Sequence, residues 1–206
     1  SLVGSEMCIR DRMDAVLELI AASRPRKATF YMRRIIAILR LLVQQIHVLE
    51  TMTPRDFLGF RYALSPASGF GSTQFREIEF ATGIRRPDLL EYFKSDISHQ
   101  ALIKRYEAPS LGETFYALLR SNGFDLPEGN AAMSPEEAEA CQEKRCRELL
   151  RLYDEEETYA ELHDLAESLV EFDELLYFWR AHHMTVVERM IGSKRGTGGS
   201  DGVAYL

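Results

Sequence analysis

Cysteine is scarce, with three in 206 residues. Cys8, Cys141 and Cys146 form neither an even-numbered disulfide framework nor a Cys-x-x-Cys metal pair, and they read as free thiols of a cytoplasmic protein. Basic charge is also short. Against 32 acidic residues stand 25 Lys and Arg, a net charge of −7, so the phosphate-neutralising patch of a nucleic-acid binder is missing. No apolar run approaches the roughly 18–20 residues that span a bilayer, which excludes a membrane partner. No stretch alternates polar and apolar residues for long enough to make a sheet. Polar acid–base chemistry is unadvertised as well: there is no Ser-His-Asp arrangement, no His-Glu-x-x-His and no glycosidase-like carboxylate pair.

What is present is helix. A chain that is 46% hydrophobic can bury a sizeable single core. The stretch 26–50 keeps helical time through Phe30, Ile35, Leu39, Leu42, Ile46 and Leu49, uninterrupted by glycine or proline, with His47 beside the stripe. Thr53-Pro-Arg-Asp56 starts the next helix, with an N-cap, a proline at the first position and an acid at the third. A small-residue loop, Leu64 to Ser72, breaks it before Pro66. Helices are expected over 74–82, closed by Gly83, over 87–93, 100–106 and 112–122, and from the Ser134-Pro-Glu-Glu137 cap to about 154. The acidic run 154–157 reads as a solvated face rather than a metal site, because consecutive carboxylates diverge around a helix. The fold class is all-α.

The last helix carries the longest stripe: Leu162, Leu165, Leu169, Phe172, Leu176, Trp179, Val186 and Met190. His183 falls on it, one turn past Trp179. An imidazole held on a buried helical face suits an axial haem ligand, and it equally suits a core histidine donating to a carbonyl. Two further constellations stand out. Phe57 and Arg61, four apart, set an aromatic wall beside a guanidinium, fit for a ligand with an apolar body and a carboxylate, or simply for a surface ion pair. Gly196-Thr-Gly-Gly-Ser-Asp-Gly202 lacks the preceding strand and terminal Lys-Ser/Thr of a phosphate loop. Its glycines instead allow either a segment that folds over a ligand or a plain linker.

The ordered motifs Glu50-Thr-Met-Thr-Pro-Arg-Asp-Phe-Leu-Gly-Phe-Arg61, Ser65-Pro-Ala-Ser-Gly-Phe-Gly-Ser-Thr-Gln-Phe-Arg-Glu-Ile-Glu79, Trp179-Arg-Ala-His-His183 and Gly192-Ser-Lys-Arg-Gly-Thr-Gly-Gly-Ser-Asp-Gly202 resemble tryptophan 2,3-dioxygenase. The similarity extends more weakly through the helices between, from about residue 28 to the end. The resemblance implies a helical bundle of the haem-dependent tryptophan/indoleamine dioxygenase type. It also implies haem b as cofactor and insertion of both atoms of O2 across the indole C2–C3 bond of L-tryptophan to give N-formylkynurenine. By motif position His183 matches the proximal iron ligand, with His182 only its neighbour. Ser68 matches a hydroxyl in the haem pocket, Arg61 the partner of the substrate carboxylate, Phe57 an aromatic on the indole, and Thr197 a loop contact to the amino-acid moiety. A homotetramer is implied as the assembly.

Departures from the family pattern generate further expectations. Residues 1–12 resemble translated adapter sequence, a leader set apart from a single domain over 13–206. The distal-side histidine helix of the family has no match in residues 1–27, so no catalytic residue is identified. The family pattern also continues past Leu206, and weak or absent activity is expected of this chain by itself. The alternative is a truncated, non-catalytic haem-binding helical module.

Overall fold

The computed structural model describes residues 2–60, 72–94, 96–128 and 133–192. Among them all regular structure is helical, as the sequence pattern requires. The helices are α1 (Leu2–Ala21), α2 (Pro25–Glu50), α3 (Pro54–Phe60), α4 (Thr73–Thr82), α5 (Pro87–Tyr92), α6 (His99–Glu107), α7 (Leu111–Ser121), α8 (Pro135–Asp154) and α9 (Ala160–Ile191).

Local chemistry sets the helix ends. Ser110 and Ser134 each close a capping box, their hydroxyls accepting from the backbone N–H of Glu113 and Glu137 while those glutamates accept from the cap backbone. Thr53 accepts from the Asp56 backbone N–H at 3.2 Å, the cap read from the sequence. At the end of α4, Gly83 takes φ +98°, which allows Ile84 N–H to reach back to the Glu79 carbonyl at 3.1 Å. A side chain there would be strained by that positive φ, although there is room for a Cβ beside Ser110.

The two longest helices, α2 and α9, make the most extensive pairing. They run parallel and in register. Arg33 meets Asp164 at 3.8 Å, Arg40 meets Glu171, and His182 meets Glu50 at 3.3 Å, so partners on the two helices stay 131–132 residues apart in sequence. Between these rims lies one core. It takes Met32, Ile35, Ile36, Leu39, Leu42 and Ile46 from α2, and Leu162, Leu165, Phe172, Leu176 and Trp179 from α9. The α9 stripe lies as the periodicity places it, with Leu169 and Val186 packed at its margin. Of the expected α2 stripe, Ile35, Leu39, Leu42 and Ile46 are buried, but its ends are not: Phe30 is 59% and Leu49 50% exposed, while Met32 and Ile36 are buried as well.

Helix α1 packs on α2, α4 and α7. Ile9, Met13, Val16 and Ile20 recur at helical steps and enter the same core. The periodicity becomes visible only when the segment is read across residue 12, which is why residues 2–12 show no period by themselves. A satellite cluster of Phe80, Leu89, Phe93 and Leu102 joins α4, α5 and α6. The acidic run 154–157 is exposed, as a solvated face should be. Cys141 is buried and Cys8 and Cys146 are exposed, all three as free thiols.

Ile35 is fully buried where α2 meets α9, so Ile35→Ala is expected to cost about 2–5 kcal/mol of stability. Phe30→Ala, on the exposed side of the same helix, should stay within roughly 0.5 kcal/mol. Urea unfolding of the two variants against the parent chain measures both.

Candidate functional site

The site assembles on the C-terminal half of α9. Trp179 is nearly buried, and one turn later the His183 imidazole lies almost parallel to its indole, ring centroids 5.3 Å apart at 15°. Phe75 of α4 covers Trp179, at 4.8 Å between ring centres. Among the described residues the buried Trp179 Nε1 has no hydrogen-bond acceptor. A buried indole N–H without an acceptor is costly, and a bound group offering an oxygen there would satisfy it.

Behind this aromatic stack sits a buried ion cluster. Glu79 is 2% exposed and accepts from Arg76 Nη1 on one oxygen and from Arg180 Nη1, at 2.9 Å, on the other. Burial pushes the Glu79 carboxyl up, and the Arg76, Arg180 and Arg86 charges pull it back. The same Arg76 acts on His183, whose imidazole is pushed below its ordinary range first by burial and then by that guanidinium. A neutral imidazole is what metal ligation requires. His183 is thus an electron-pair donor held rigid by stacking and kept unprotonated by its surroundings. Sequence reasoning assigned no role to Arg76, Glu79 or Arg180. The available signal was an arginine and a glutamate three apart, at helical reach, in a short helix.

His182, adjacent to His183, faces another way. Its Nδ1 lies 3.3 Å from Glu50 Oε1 at the end of α2, and its ring meets His47 edge-on at 4.7 Å. Of the other expected site residues, Phe57 is part-buried on α3, which packs on α9. Arg61, Ser68 and Thr197, with the Gly196–Gly202 loop, lie outside the described residues. A groove of about 930 Å³ between α1, α6 and α7 includes none of the expected site residues in its lining. The guanidiniums that line it are engaged: Arg85 donates to the Ala108 carbonyl at 2.7 Å, Arg145 donates to the Pro127 carbonyl at 3.0 Å, and Arg105 pairs with Asp14.

An all-helical bundle that presents a buried, stacked imidazole from a long core helix belongs to a class of fold that can seat a cofactor between its helices. Comparison with known proteins narrows it. The family model for tryptophan 2,3-dioxygenase matches residues 7–128 and 137–206, taking in residues 7–27 ahead of the stretch that carries the resemblance in the sequence. A tryptophan 2,3-dioxygenase of Herpetosiphon aurantiacus is 39% identical over 198 residues, covering 96% of this chain and 75% of that protein. That of a Nocardioides species is 45% identical over 195 residues, covering 94% and 68%. One from Xanthomonas campestris pv. campestris is 40% identical over 170 residues, covering 82% and 57%. The chain belongs to the tryptophan 2,3-dioxygenase family, a family of oxidoreductases.

Two outcomes are expected of this site. Glu79→Ala removes the carboxylate that Arg76 and Arg180 share and should cost about 3–5 kcal/mol in urea unfolding. The second concerns pH. Because His183 binds its proton less readily folded than unfolded, the stability due to its neutral form is fully present above the ordinary imidazole value of 6.5 and is lost as pH falls below it. The unfolding free energy of the parent chain should therefore drop more steeply from neutral to mildly acidic pH than that of His183→Asn.

Proposed function

We propose that this chain serves the reaction of its family: insertion of both oxygen atoms of O2 across the indole C2–C3 bond of L-tryptophan, giving N-formylkynurenine, with haem b as the cofactor. The observation that carries the reading is the coincidence of family membership with His183, the neutral imidazole stacked on Trp179. The residues present fit a haem. His183 offers a ligand nitrogen, and Trp179 Nε1 offers a buried donor in want of an acceptor. When bound, the haem would supply the iron centre that activates dioxygen, chemistry no side chain of this protein provides.

The protein's own contribution is to bind, orient and exclude water. His183 would hold the iron when haem is bound; the Trp179 stack and the Glu79–Arg180 pair hold the helix rotation that aims its imidazole. Phe57 packs on the indole of the substrate and Arg61 pairs with its carboxylate, which together fix one face and one end of an amino acid with an apolar body. The Ser68 hydroxyl belongs to the haem pocket. Thr197, in the glycine-rich loop, contacts the amino-acid end, and the loop closes over the bound substrate.

No described helix is long and apolar enough to cross a membrane, in keeping with a cytoplasmic protein. The exposed side chains Leu41, Val48, Tyr177 and Phe178 suit burial against further copies of the chain, and a homotetramer is the assembly proposed.

Haem titration tests this reading. The parent chain should develop a Soret band at one haem per chain, and His183→Ala should lose it, whereas His182→Ala should keep it. Retention of the parent spectrum in His183→Ala would remove His183 as the residue that would hold the iron. With tryptophan, O2 and reductant, N-formylkynurenine formation followed by its absorbance tests the reaction itself.

A further inference from the structure

His47, Glu50 and His182 carry a second, independent constellation. His47 and Glu50 lie three apart in the last turn of α2, so both project from one helical face. His182 reaches them from α9. His47 Nδ1 stands 3.0 Å from Glu50 Oε2, and His182 Nδ1 stands 3.3 Å from Glu50 Oε1. The candidate ligand atoms of all three residues lie within 4.8 Å of one another. In a tetrahedral zinc site with bonds of about 2.0–2.2 Å, donor atoms stand roughly 3.3–3.6 Å apart, so small side-chain rotations suffice to close this set on one ion.

The backbone that carries the set is held in place. The Glu50 carbonyl accepts from Arg189 Nη1 of α9 at 2.9 Å, so the turn bearing two donors is tied to the helix bearing the third. Pre-positioned donors lose little entropy on binding. The three side chains are between 30% and 50% exposed, which leaves a route in for the ion and room for a water as fourth ligand. Two imidazoles and one carboxylate select a borderline divalent ion. Calcium and magnesium prefer six or more oxygens, and no thiolate is present to favour a softer metal.

We propose that His47, Glu50 and His182 form a binding site for a divalent transition ion of the zinc type, separate from the imidazole of His183. The occupied site clips the α2–α3 junction to α9 immediately beside the residue aimed at the cofactor. It therefore holds the helix that carries Phe57 in register with the helix that carries His183. It is formed by the chain alone and does not depend on haem being bound.

The test uses the full chain and the metal alone. Zinc chloride titrated in competition with a chromophoric chelator should give one site per chain and raise the thermal midpoint. Cobalt(II) in its place should give the visible bands of a four-coordinate N/O site without a thiolate charge-transfer band. Glu50→Gln and His182→Asn should each weaken zinc binding about tenfold or more, with circular dichroism confirming that both remain folded, while His183→Asn should bind zinc as the parent does. Undiminished binding in His182→Asn and Glu50→Gln overturns the site, and so does loss of binding in His183→Asn or a cobalt spectrum carrying the thiolate band. No binding by the parent chain at micromolar zinc overturns it as well.

Discussion

Ile35, Leu39, Leu42 and Ile46 of α2 share one core with Leu165, Phe172, Leu176 and Trp179 of α9, and the two helices run in the same direction. Parallel helices cannot be joined by a short turn. Everything from α3 to α8 is the connection that returns the chain to the starting end of α2, so that the partners meet 131–132 residues apart. Closing so long a connection costs less than its length suggests, since the entropy of loop closure grows only logarithmically. The connection also does structural work. Its α4 covers Trp179 through Phe75, and its α3 packs on α9.

The ion cluster of Arg76, Glu79 and Arg180 shows a different economy. Burying a carboxylate with two guanidiniums rarely stabilises a fold more than apolar residues of the same size would. Its effect here is directional. Arg180 sits between Trp179 and His183 in sequence, so the Glu79 contact fixes the rotation of α9 at the turn where orientation decides function. Apolar packing tolerates small rotations of a helix; a carboxylate that must satisfy two donors at defined angles does not. The cluster also sets charge. Arg76 beside His183 adds to burial in keeping that imidazole neutral, so one residue both fixes the wall and tunes the ligand.

From α2 onward, helix existence and most helix ends were readable because they depend on nearest neighbours: proline and serine at Ser134-Pro135, threonine and aspartate at Thr53 and Asp56, glycine at Gly83. The α9 stripe was readable for the same reason. Helix α1 was not, because its first half shows no period by itself. The ends of the α2 stripe were not, because Phe30 and Met32 are both apolar and only packing decides which of them is covered. Periodicity left His183 poised between core residue and ligand. The motif match, and then the stack on Trp179, supplied what spacing lacked. Glu79 escaped notice because, like Glu77 two residues before it, a glutamate in a short helix reads as a surface residue until an arginine 101 residues away is brought to it.

Two adjacent histidines show how far one residue of register reaches. Consecutive positions on an α-helix are about 100° apart, so His182 and His183 cannot serve the same surroundings. His183 falls on the face that carries Trp179, where burial and Arg76 discourage its protonated form. His182 falls toward the end of α2, where Glu50 and His47 meet it. Glu50 tells the same story from the other side, its carboxyl held below the usual carboxylate range by hydrogen bonds from His47 and then from His182. One environment favours a neutral donor aimed at a buried centre; the other gathers a carboxylate and two imidazoles, half-exposed, at a helix junction. The parallel register of α2 and α9 creates both, because it brings the end of α2 level with the turn that carries the two imidazoles. A slip of one turn would carry His182 past Glu50 and weaken the seat of His183 in the same motion.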